Sequence, residues 1–149
     1  MRRAILTSVV LVFALATAAT AQNKQPTKAG APRAVALAWS DLVGDWNGKS
    51  MKGKTDSVIT QLTTTYKADK TITITFPKRK PVAAKLIAMA GDSVIIETEP
   101  YPSLTRPGHK TSVRMVSHVA NHKMWGTFRA TYDDKQTLDG TSTAAHKMK

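Results

Sequence analysis

The sequence predicts an all-β domain, an eight-stranded antiparallel up-and-down β-barrel. From residue 45 onward, apolar residues alternate with polar ones at a period of two, which is the pattern of strands with one buried face. Turn-forming residues interrupt this pattern at short intervals, so the connections are predicted to be hairpins. A closed sheet has no exposed edges, and short sequential connections favour a barrel over a two-sheet β-sandwich, which is the alternative fold.

The elements begin with a short helical turn. Residues 34–42 (AVALAWSDL) predict a short α-helix or 3₁₀ turn, with Ser40 or Asp41 as its N-terminal cap. The eight predicted strands then follow at 45–52, 57–67, 70–76, 82–90, 93–99, 110–119, 123–132 and 138–147.

The alternation within these strands assigns one set of side chains to the barrel interior. In the third strand, Ile72, Ile74 and Phe76 share one face and three threonines occupy the other. The interior of an eight-stranded barrel is either filled by such side chains or holds one small ligand. The predicted inward residues are Val58, Leu62, Tyr66, Ile72, Ile74, Phe76, Val94, Ile96, Val113, Met115, Met124 and Phe128.

The start of the first strand contains a G-x-W motif at Gly44 and Trp46. This opening resembles that of the calycin barrels, which include lipocalins, fatty-acid-binding proteins and avidins. In that family a short helical turn precedes the strand, and the tryptophan closes one end of the barrel, often beneath a basic side chain from the last strand. The resemblance implies that Trp46 closes the barrel here and that His146 or Lys147 lies over it.

The N-terminus has the three parts of a secretory signal peptide. A basic start and an apolar segment lead to Ala19-Thr20-Ala21, which supplies the small residues that a signal peptidase reads. We therefore expect cleavage before Gln22 and a periplasmic or secreted protein that is not an integral membrane protein; an uncleaved anchor is the alternative. The predicted organisation is a signal peptide at 1–21, a disordered polar leader at 22–35 and a barrel domain at 36–149.

The chain is basic and contains no cysteine. Residues 1–21 hold two of the 22 Lys and Arg and none of the 10 Asp and Glu, so residues 22–149 carry a net charge of +10. This balance favours an anionic surface or an acidic protein as a partner, whereas export makes nucleic acid an unexpected one. The absence of cysteine excludes disulfide scaffolds, thiol catalysis and cysteine-ligated zinc.

No group of residues in the sequence predicts catalysis, a cofactor or a metal. His118 and His122 have the i, i+4 spacing of a metal-binding pair, with His109 as a conceivable third ligand. That spacing needs a helix, whereas these residues flank a predicted hairpin turn. Glu97 and Glu99 share one strand face opposite apolar residues, which is typical of a solvated outer face. We therefore expect a non-enzymatic protein.

The predicted function is binding, in one of two forms. In the first, the barrel holds a small apolar or amphipathic molecule, and Tyr101 and Arg106 belong to a proline-rich loop that serves as a lid or partner contact. In the second, the core is solid and the basic surface docks on an anionic envelope component or an acidic protein. The interior residues assigned to ligand contact are Tyr66, Phe76, Ile96, Met115, Met124 and Phe128.

Overall fold

The structure, a computed structural model, describes residues 36–147. The signal peptide predicted at 1–21 and the leader predicted at 22–35 lie outside the described residues. Residues 36–147 form one short helix and nine strands, listed here in chain order. The elements are α1 (Trp39–Leu42), β1 (Gly44–Lys52), β2 (Val58–Tyr66), β3 (Ile72–Thr75), β4 (Val82–Ala90), β5 (Ser93–Thr98), β6 (Tyr101–Pro102), β7 (Lys110–Ala120), β8 (Lys123–Tyr132) and β9 (Thr137–His146).

Eight of these strands close into an antiparallel barrel. Consecutive strands pair from β1 to β5, β5 pairs with β7, and β7, β8 and β9 follow in order. The pairing of β9 with β1 closes the sheet, and β6 adds two residue pairs to β7. The predicted all-β barrel is therefore confirmed, and the sandwich alternative is wrong.

The predicted strand boundaries agree with the observed ones to within two residues. The sequence does not predict β6, which has only two residues. One of them is Pro102, which lacks an N–H donor and is a poor signal for a strand.

The prediction that Val58 points into the barrel is wrong. Its side chain is 51% exposed, whereas the other eleven predicted inward residues are buried or partly buried. The cause is a β-bulge, because Ser50 pairs with Thr60 while Met51 pairs with Val58. The extra residue, Ile59, reverses the alternation at this point, so that Ile59 packs against the core in place of Val58.

The helix α1 is shorter than the helical turn predicted at 34–42, the first two residues of which lie outside the described part. It begins at Trp39, after an extended Ala38 (φ −94°, ψ 156°). Ser40 and Asp41 lie inside the helix, so their predicted role as the cap residue is wrong. Asp41 instead reaches back, and its carboxylate accepts a hydrogen bond from Ala38 N–H at 2.8 Å. Within residues 36–147, no helix has the length and apolar character needed to cross a membrane.

The two ends of the barrel are closed in different ways. At one end, called the helix end, α1 lies beside the start of β1 and the last residues of β9. At the other end, residues 99–109 connect β5 to β7 and contribute side chains to the core. We call residues 99–109 the strap and this side of the barrel the strap end.

Candidate functional site

Trp46 fills the interior of the helix end. Only 1% of the residue is exposed, and its indole N–H donates a hydrogen bond to the carbonyl oxygen of Leu42 at 2.8 Å. His146 contacts the indole edge-to-face, with ring centroids 4.9 Å apart and planes at 64°. Of the two residues that the family resemblance offers for this position, His146 therefore lies against Trp46, and Lys147 is exposed.

Gly44 leaves the space that His146 occupies. Its φ of +132° favours glycine, and a Cβ at this position would overlap with Nε2 of His146. The same Nε2 lies 3.2 Å from the carbonyl oxygen of Val43. The G-x-W motif thus has a physical basis in this chain, because its glycine admits the histidine that packs on its tryptophan.

Further contacts fasten the chain across the helix end. Leu37 N–H donates to the carbonyl oxygen of Gly91 at 2.7 Å, and the indole N–H of Trp39 donates to that of Lys67 at 2.9 Å. The Trp39 ring meets Tyr66 edge-on at 5.7 Å. Tyr66 is buried, and this burial raises the pKa of its hydroxyl. These side chains form a packed closure.

A cavity of about 50 Å³ lies beneath the strap at the opposite end. The side chains around it come from seven of the eight barrel strands and from the strap, and most of them are apolar. Among the residues predicted to contact a ligand, Phe76, Met115 and Phe128 line this cavity. The other three, namely Tyr66, Ile96 and Met124, are buried but do not line it.

The size of the cavity limits what the closed barrel can hold. One water needs roughly 10–15 Å³ of such volume, and an engineered cavity of about 150 Å³ in another protein binds benzene. The 50 Å³ found here therefore accommodates a few waters or a very small molecule. A drug-sized ligand needs a cavity several times larger than this one.

Two apolar side chains of the strap point into the barrel. Tyr101 is 8% exposed and stacks on Phe76, with ring centroids 5.4 Å apart. Burial raises the pKa of Tyr101 to about 12. Leu104 is partly buried against the same core. The sequence predicts Tyr101 as part of a lid or partner contact at the barrel mouth. In the structure its side chain is buried in the barrel interior against Phe76.

An ion pair and a histidine–aspartate contact fasten the strap to the turn between β8 and β9. Arg106 donates to both carboxylate oxygens of Asp134, at 2.8 and 3.1 Å, and lies over the ring of Tyr132 at 4.7 Å. His109 Nδ1 lies 2.7 Å from Asp133. Both contacts lie at the rim of the barrel, and the cavity is beneath them.

These contacts lower the pKa values of the two aspartates. For Asp133, the main cause is the hydrogen bond from the backbone N–H of Lys110, followed by the contact with His109. For Asp134, the main cause is the hydrogen bond from Arg106. The ionised carboxylates therefore hold the strap in place.

We expect the strap to loosen in acid. An unfolded aspartate ionises near about 3.9, and the folded pKa values of Asp133 and Asp134 are lower. The stabilisation is therefore complete above that pH and is lost as the pH falls through the lowered values. Protection of the Thr105 and Arg106 amides, which bond Ser103 Oγ, should fall before that of the β7 amides in hydrogen exchange. Equal loss in both places would contradict this expectation.

Three of the residues at this rim form the one group in residues 36–147 with the spacing of a metal site. Ligand atoms of His109, Asp133 and Asp134 lie within 4.8 Å of one another. However, Arg106 already occupies both oxygens of Asp134, and its positive charge disfavours a second cation there. The geometry is that of an ion-pair network that fastens the strap.

His118 and His122, the pair whose spacing suggests a metal, have different partners in the structure. His118 Nδ1 contacts both Ser93 Oγ, at 3.0 Å, and Asp92, at 3.1 Å. A serine–histidine–aspartate relay needs the two partners on different ring nitrogens, so this group lacks that geometry. His122 lies in the β7–β8 turn with φ 58°, and its ring is 6.0 Å from that of His146.

The two glutamates that share a strand face lie on the outside of the barrel. Glu97 forms an ion pair with Arg114 across β5 and β7 at 3.5 Å, and Glu99 is exposed. Their side chains do not reach the cavity.

Sequence reasoning missed the residues that fasten the strap. Asp133 and Asp134 give only a turn signal in the sequence, and their partners lie about 25 residues earlier. The useful signal would have been an acidic hairpin turn beside a loop that contains both arginine and histidine.

No family model matches the chain, and neither a curated protein nor a solved structure matches it significantly. The fold and the site define a closed eight-stranded antiparallel barrel with one plugged end and one strapped end. Its function must be argued from this geometry.

Proposed function

We propose that this protein is an exported, non-enzymatic barrel of the calycin type that binds a small apolar or amphipathic molecule beneath the strap. One observation carries the proposal: a mainly apolar cavity lies under a segment that is fastened largely by side chains at its rim. Two residue pairs join the strap to β7, and the Glu99 N–H donates to the carbonyl oxygen of Ala83 in β4. The guanidinium of Arg79 also donates to the carbonyl oxygens of Pro102 and Ser103.

The calycin assignment is supported by the helix end. The short helix before β1, the glycine at 44 and the buried Trp46 occur in the order that the resemblance implies. His146 supplies the last-strand contact. Export is supported by the signal-like sequence at 1–21.

The ligand enters when the strap lifts. Outward movement of Tyr101 and Leu104 adds the space of two large side chains to the cavity and exposes Phe76. The hydroxyls of Thr105 and Tyr132, now 2.7 Å apart, then lie at the entrance. This arrangement suits a molecule with an apolar body and a small polar group.

The binding experiment uses N-phenyl-1-naphthylamine as an apolar fluorescent probe. We expect saturable fluorescence with the unmodified protein and its loss in Ala130→Leu, which fills the cavity from β8. Ala84→Leu is the matched control, because Ala84 packs against the core without lining the cavity. Probe binding that is absent from the unmodified protein, or equal in both folded variants, would contradict the proposal. Native mass spectrometry of protein from its own host then identifies the retained molecule.

We expect Arg106→Gln to raise the association rate of the probe roughly fivefold, because the strap loses its ion pair with Asp134 and its contact with Tyr132. Stopped-flow fluorescence measures this rate. Arg129→Gln is the control, since it removes the same charge and an ion pair with Asp139 on the outer wall. An equal rate in the two variants would mean that the strap does not control entry.

A second candidate function is docking of the basic surface on an anionic envelope component or an acidic protein. The observation that favours it is the excess of 22 Lys and Arg over 10 Asp and Glu. Its signature is salt-sensitive binding to phosphatidylglycerol vesicles by protein that retains no small molecule.

A further inference from the structure

The outer wall of the barrel carries a groove along β9. The outward side chains of β9 at its centre, Thr143 and Ala145, are small and exposed. Larger side chains stand on either side, because register places Thr143 between Trp125 of β8 and Lys49 of β1. Neighbouring strands lie about 4.8 Å apart, so the two walls of this groove are separated by about 10 Å.

Trp125 forms one wall of the groove. It is 44% exposed, in contrast to the buried Trp46, and its ring is stacked with that of His118 at 6.0 Å with planes at 27°. His118 is in turn held by Ser93 and Asp92. This support fixes the orientation of the indole, so that a ligand does not have to order it on binding.

The groove is positively charged. Lys49 and Lys123 line it, together with the amides of Asn47 and Gln61. Within residues 36–147, no carboxylate lines this groove, and neither lysine forms an ion pair. The site therefore combines an aromatic face, polar groups that form hydrogen bonds, and two cations without nearby compensation.

We propose that the β9 groove binds a segment of an acidic polysaccharide. The C–H face of a pyranose ring stacks on Trp125, the sugar hydroxyls meet the amides and Thr143, and the lysines pair with the carboxylates of the sugar. This site is separate from the cavity beneath the strap, because the two share no lining residue.

An acidic glycan fits these residues better than a single-stranded nucleic acid does. Nucleic-acid grooves of this kind stack successive bases on several aromatic rings. The β9 groove offers one ring, and the rest of its lining consists of two lysines, two amides, Thr143, small residues, Val58 and Met124. One stacking position beside many hydrogen-bonding groups suits a sugar chain.

The test is calorimetric titration of the purified full chain with oligogalacturonate, maltodextrin and oligothymidylate. We expect oligogalacturonate to bind most tightly and its affinity to fall as salt increases. Trp125→Ala should weaken this binding about tenfold or more, as loss of a stacking ring does, and Trp125→Phe should restore part of it. Lys49→Gln and Lys123→Gln should each weaken binding and reduce its salt dependence.

Lys85→Gln is the matched charge control, because Lys85 is exposed on β4 and does not line the groove. We expect it to leave the affinity for oligogalacturonate within about twofold, the margin of an ordinary surface substitution. The proposal is overturned if oligogalacturonate does not bind, or if Trp125→Ala binds as tightly as the unmodified protein. It is also overturned if Lys85→Gln weakens binding as much as Lys49→Gln, or if oligothymidylate binds more tightly.

Discussion

Replacing Trp46 with alanine should lower the free energy of unfolding by about 3–5 kcal/mol, as deletion of a large aromatic from a core does. The indole is 1% exposed, packs against His146 and bonds the Leu42 carbonyl oxygen, so little of the space that it leaves can be filled by neighbours. Urea unfolding followed by far-ultraviolet circular dichroism measures the change.

Trp125→Ala is the control for that measurement. Trp125 is 44% exposed on the outer wall, so its loss should change the free energy of unfolding by about 0.5 kcal/mol or less. A similarly small change for Trp46→Ala would show that the indole does not close the barrel, and the resemblance to calycins would then lose its main support.

Gly44→Ala should lower the free energy of unfolding by about 2–4 kcal/mol, because two costs combine. The φ of +132° is strained for any residue with a Cβ, and that Cβ would also displace the His146 ring. Gly91→Ala separates these costs, since Gly91 has φ +58° but nothing near its missing Cβ. We expect Gly91→Ala to lower the free energy of unfolding by about 1 kcal/mol.

A double-mutant cycle with His146→Ala then tests the contact itself. Once the ring is removed, Gly44→Ala should cost about 1 kcal/mol less than it does in the unmodified protein, because only the backbone strain remains. Chemical denaturation of the four proteins provides the cycle. Additive effects of the two substitutions would mean that Gly44 is needed for its backbone conformation alone.

The strands were predictable because their signal is local. In 72–76, for example, isoleucine and threonine alternate, and the burial of Ile72, Ile74 and Phe76 follows from that alternation. Val58 shows where this reasoning fails. The bulge at Ile59 depends on the register between β1 and β2, and no residue within β2 indicates it.

The candidate site was less predictable than the fold, because its geometry depends on contacts between distant residues. Tyr101 and Arg106 stand out in the sequence as part of a proline-rich loop, but their positions follow from Phe76 and Asp134, which lie on other connections. The cavity volume depends on how all of these side chains pack together. The strand pattern shows only which side chains point inward. Of the six residues predicted to contact a ligand, three therefore line the cavity and three are buried without lining it.

The pairing of the last strand with the first has a consequence for folding. His146 and Val43, which meet at the helix end, are 103 positions apart in the chain. Contacts of such long range raise the contact order, and domains dominated by them fold in milliseconds to seconds. Trp46 therefore cannot gain its contact with His146 until β9 has formed and paired with β1. Until then the facing edges of β1 and β9 remain unpaired, and exposed strand edges of this kind can pair with another chain.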